Sequence, residues 1–137
     1  MNRIICVILI IFSTKSAFSQ SQSELNVIAG EEVKYSLHRM DSIFNKIVHL
    51  YSSDQLFLTN LRRSQKYWET YLASQVEAMY PDYRDDRFGS MMPVCSASYK
   101  RELVENRIAE LSRWLTARED GDCVSSIMYN DPERSKH

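Results

Sequence analysis

The sequence predicts an all-α fold, a compact bundle of about three main helices with the second and third long. Three observations predict it. Apolar residues recur at steps of three and four in three separate segments. No segment sustains the two-residue alternation of a half-buried strand, and only three glycines and three prolines interrupt the 137 residues.

The chain opens with MNRIICVILIIFSTKSAFS. Arg3 gives a positive start, Ile4–Phe12 is an apolar run, and Ala17 and Ser19 are small residues placed as in a cleavage site before Gln20. That order of charge, grease and small residues describes an export signal over 1–19. A membrane span needs about 20 apolar residues, so a stable anchor is not expected. Cys6 lies inside the run and leaves with the leader. Removing 19 of 137 residues leaves 118, enough for one domain. The loss of Arg3 and Lys15 moves the net charge from −1 to −3. Nucleic acid, which favours strongly basic surfaces, is therefore not an expected partner.

Residues 20–30 are polar and read as a loose lead-in to a helical domain spanning 31–118. In the first helix, ending at Tyr51, Leu37, Met40, Phe44, Ile47, Val48 and Tyr51 share one face. Ser52-Ser53-Asp54 then breaks the pattern and offers Ser or Asp as the next N-cap. The second helix runs from about Asp54 to Met79, with Phe57, Leu61, Trp68, Leu72, Val76 and Met79 on its apolar side. Trp68 is expected at the centre of the core. Tyr80-Pro81 ends this helix, because the residue before proline is pushed out of helical geometry. Residues 82–93 read as a loop. The third helix is expected from Val94 or Ser96 to Arg118, with Tyr99, Leu103, Val104, Ile108, Leu111, Trp114 and Leu115 inward and the Arg101/Glu105 pair on the solvated side. A polar tail, 119–137, follows.

Chemistry for catalysis is not assembled. His38 and His49 are eleven residues apart, about 16 Å along a helix, too far to share a metal. Asp82, Asp85 and Asp86 interleave with Arg84 and Arg87, which suits a solvated loop better than a calcium loop. Neither a cofactor nor an enzymatic activity is expected. The exported chain keeps Cys95 and Cys123. Bridging them would require the tail to run back along a helix about 26 Å long. Free thiols, an internal bridge and an intermolecular bridge all stay open. Gln65 is a polar residue on an apolar face, and Asn45 and Arg107 are its expected partners in a buried polar junction.

These patterns, in this order, resemble the exported bacterial family named for the lysozyme inhibitor LprI. Asp41, Phe44-Asn45 and Val48 stand where that family has an aspartate, a leucine–asparagine pair and an aromatic. Leu61, Arg62, Arg63, Ser64, Gln65, Trp68 and Tyr71 match its second block, and Gly89-Ser90, Pro93, Leu103 and Arg107 its third. The resemblance covers about 40–115. The chain departs after Tyr71: Leu72-Ala73 and Val76 replace an arginine–aspartate pair and a cysteine, and Tyr99 falls at a later cysteine. The resemblance implies a non-enzymatic periplasmic or secreted protein whose partner is a protein, lysozyme, blocked by steric occlusion. It makes Asp41, Asn45, Gln65, Trp68, Tyr71 and Arg107 the candidate binding residues, against a purely structural role for them. Asp82, Asp85 and Asp86 are candidates to meet the cationic enzyme. The alternative is an envelope structural or assembly partner with another target. Oligomeric state is not legible.

Overall fold

The computed structural model describes residues 2–82 and 87–116, with side chains from residue 21 onward. The leader's side chains, Cys6, Asp85, Asp86, Cys123 and the 119–137 tail lie outside what is described. Three helices follow in order: α1 (Asn2–Leu50), α2 (Gln55–Met79) and α3 (Met92–Ser112), the last closed by a 3-10 turn at Arg113–Leu115. No strand occurs among the described residues.

The caps follow the expected chemistry. The Asp54 carboxylate accepts from the Phe57 N–H at 2.9 Å, satisfying a first-turn donor of α2. Tyr80 closes α2, with its N–H donated to the Val76 carbonyl. Pro93 sits in the first turn of α3, where a missing N–H costs nothing, so this helix starts earlier than its sequence suggests. It also ends sooner. Thr116 is extended, so α3 stops before Arg118.

The second and third helices are long, as expected, the first is longer still, and residues 21–30 are helical within it. The reason is packing. Ala29, Val33, Ser36, Met40 and Ile47 form one buried stripe on α1, continued by Tyr51 just past its end, and α1 packs along α3, with Ser36 bonded to Glu105. Tertiary burial, more than local propensity, holds such a segment helical.

Contacts give the topology. Glu32 meets Arg101, Ser36 meets Glu105 and Tyr51 meets Trp114, so α1 and α3 run parallel. Gln65 meets Arg107 and Gln75 meets Tyr99, so α2 runs antiparallel to α3. Leu58, Leu61 and Leu72 of α2, with Val104, Ile108 and Leu111 of α3, complete the core against Met40, Ile47 and Tyr51. Each fully buried aliphatic side chain here contributes about 1.5–3 kcal/mol.

Trp68 is not the centre of this core. It is half-buried and packs against the core from its edge. The phase of α2 explains why: at 100° per residue, Trp68 lies about 50° from the centre of the buried stripe through Leu58, Leu61, Gln65 and Leu72. The fully enclosed residues are Ile47, Val104, Leu111 and Ser36. A second aromatic group, Tyr51, Phe57 and Trp114, closes the end of the bundle, with Tyr51 edge-on to Trp114. The Tyr51 hydroxyl donates to the Trp114 carbonyl at 2.8 Å and ties down the 3-10 turn.

Candidate functional site

The six candidate binding residues separate into two places. Gln65, Trp68 and Arg107 come together between α2 and α3. Gln65 is buried; the Arg107 Nε–H donates to its Oε1 at 3.2 Å, and its own amide approaches Met40 Sδ at 3.7 Å and Glu69 Oε1 at 3.5 Å. The rest of the Arg107 guanidinium reaches Ser64 Oγ at 3.1 Å and Glu110 Oε2 at 3.0 Å, and lies 5.8 Å over the Trp68 ring. No buried side-chain nitrogen or oxygen among the described residues lacks a partner. The polar junction expected from the sequence therefore exists, with one substitution. Met40, not Asn45, is the member from α1.

Asn45 and Asp41 point elsewhere. Five residues at 100° each put Asn45 about 140° around α1 from Met40. With His38, Ser42, Lys46 and His49 they line a shallow polar stripe on the outer face of α1. Tyr71 is exposed on α2. The spacing of Asn45 from Met40 carries this information, so a stricter phase argument on the sequence separates the two places.

Sequence reasoning missed a third feature. Arg101 and Glu105 are not neighbours on a solvated face; each crosses to α1. Arg101 Nη1 pairs with Glu32 at 2.9 Å, Arg39 Nη1 pairs with Glu105 at 2.9 Å, and the Ser36 hydroxyl donates to Glu105 at 2.7 Å. From Glu32 to Ser36 on α1 and from Arg101 to Glu105 on α3 the partners step by about one turn, which fixes the parallel register. All four charged side chains are part-exposed, so each ion pair contributes at most about 1 kcal/mol.

Beside these rungs runs an open groove of about 1210 Å³ between residues 27–39 of α1 and the first half of α3, with Tyr80 also in its lining. Tyr80 contacts Phe88 and Tyr99 through its ring. Cys95 lies on the groove as an exposed free thiol. No group of three His, Cys, Asp or Glu residues suited to a metal occurs among the described residues. No described helix is long and apolar enough to cross a membrane.

The family model described as lysozyme inhibitor LprI matches residues 13–111. The chain belongs to the lysozyme inhibitor LprI family. The match spans all of the groove's α1 and α3 walls and the whole Gln65–Arg107 junction. No curated protein and no solved structure matches the chain. Within this LprI-family fold, Gln65 and Arg107 are internal couplers of α2 to α3. Asp41, Asn45 and Tyr71 are the solvent-facing members of the motif set.

Proposed function

We propose that this protein is exported to the periplasm, loses its leader near Ser19, and there binds a lysozyme-type muramidase, blocking its cleft by steric occlusion rather than by chemistry. The observation that carries this reading is the family match over 13–111. The leader pattern of 1–19 supports export. The net charge of −3 after its removal favours encounter with a cationic enzyme. A three-helix frame in which every buried side-chain nitrogen and oxygen among the described residues is paired suits a role in which a preformed surface meets its target at little ordering cost. In this reading Asp41, Asn45 and Tyr71 are available to a partner, while Gln65, Trp68 and Arg107 hold the frame.

The test is lysis of bacterial cell walls by lysozyme, followed by turbidity, with the chain produced with its own leader and purified from the periplasm. Micromolar protein slows lysis if the reading holds. Unchanged turnover sinks it. Capture of an envelope protein in that case favours an assembly role. Mass spectrometry of the purified chain reports the cleavage point, and an intact leader refutes the export step.

A further inference from the structure

We infer that the groove between α1 and α3 is the face that docks the cationic surface of the muramidase; this inference rests on the function proposed above. Three properties of the groove carry it.

The first is exposed grease on an otherwise ordered helix. Val27, Ile28 and Tyr35 project from α1 along the groove with 61%, 50% and 67% of their surfaces exposed. Val94 and Tyr99 line it from α3, and Tyr80 joins them. Aliphatic side chains beside several tyrosines are the make-up of an interface centre, where large amphipathic rings bury area at low entropic cost.

The second is charge. Four carboxylates, Glu31, Glu32, Glu102 and Glu105, line the groove against two guanidiniums, Arg39 and Arg101. Both guanidiniums are committed, to Glu105 and Glu32, and Glu31 is paired with Lys34. Glu102 alone of the four has no basic partner among the described residues, and it is exposed. An incoming lysine or arginine can pair with it without breaking an existing ion pair.

The third is size and shape. About 1210 Å³ exceeds the roughly 300–1,000 Å³ of small-molecule pockets, and the groove is open along its length. It fits the edge of a protein carrying basic residues around an apolar side chain. The polar stripe of Asp41 and Asn45 offers no such apolar floor.

The experiment measures binding of a cationic c-type lysozyme by calorimetry, together with inhibition of cell-wall lysis. It compares the unaltered periplasmic chain with E102K, the double variant I28A/Y35A, and E77K. Glu77 is an exposed acid on α2, away from the groove, so E77K changes net charge by the same amount as E102K. All the altered side chains are exposed, and circular dichroism checks that helicity is kept. E102K and I28A/Y35A are expected to weaken binding and inhibition about tenfold each, with E77K within about twofold. Equal losses for E102K and E77K overturn the inference, because charge would then act at a distance, and leave the lysozyme reading standing. So does unchanged binding in both groove variants, including the case where I28A/Y35A instead abolishes self-association in sedimentation and so identifies a second copy as the occupant. No binding by the unaltered chain overturns both.

Discussion

Arg107→Met tests whether the junction between α2 and α3 holds the bundle together. The substitution keeps most of the stem's packing and removes the guanidinium. Gln65 Oε1 then loses its 3.2 Å donor inside a residue that is only 8% exposed. An orphaned buried acceptor costs about 1–3 kcal/mol. Loss of the contact over the half-buried Trp68 ring adds about 0.5–1 kcal/mol. The pair with Glu110 adds little, since that carboxylate is more than half exposed and the residues are three apart on one helix. The expected loss is about 2–3 kcal/mol, a large share of the 5–15 kcal/mol typical of a domain. Gln65→Leu should cost less, about 1 kcal/mol, because the Arg107 guanidinium keeps Ser64 and Glu110 and an apolar side chain fills the site. The double variant should be more stable than the sum of the two losses predicts, by about 1 kcal/mol or more, because removing both partners leaves no orphan. Urea unfolding of the four proteins, followed by circular dichroism at 222 nm, measures all three quantities. A loss below about 0.5 kcal/mol for Arg107→Met, or additive losses in the double variant, refutes the reasoning.

Three further substitutions have outcomes set by the structure, each read by urea unfolding. Ile47 is fully enclosed, so Ile47→Ala should cost about 2–5 kcal/mol, whereas Ile28→Ala on the exposed groove wall should stay within about 0.5 kcal/mol. Asp54→Ala removes the cap on Phe57 N–H and should cost about 1 kcal/mol, with Asp54→Ser restoring most of it. Gly89 holds φ of +63° in the turn before α3 with open space around it, so Gly89→Ala should cost about 1–2 kcal/mol through backbone strain alone.

Much of this arrangement is legible in the residues, and the exceptions share a cause. The Asp54 cap, the stop at Tyr80-Pro81 and the apolar phases of α2 and α3 rest on interactions within about four residues, which local sequence encodes directly. The Gln65–Arg107 contact is legible too, because a glutamine on a greasy face demands a partner and few residues can supply one. Asn45 has the polar chemistry to satisfy Gln65, but its phase on α1, about 140° from Met40, turns it away. Trp68 has the helical spacing of a core aromatic, but its angle on the stripe leaves it at the edge of the core.

The chain by itself determined that three helices form, where α2 begins and ends, and which polar side chain must be satisfied inside. The tertiary structure alone decided that α1 and α3 lie parallel and in register, that residues 21–30 join the helix, and that acids and arginines from both helices interlock beside a groove. Periodicity states which face of a helix is buried but not against which neighbour. The pairing of Glu32 with Arg101 and of Arg39 with Glu105 spans 66 residues or more, and is set only once the cores have met.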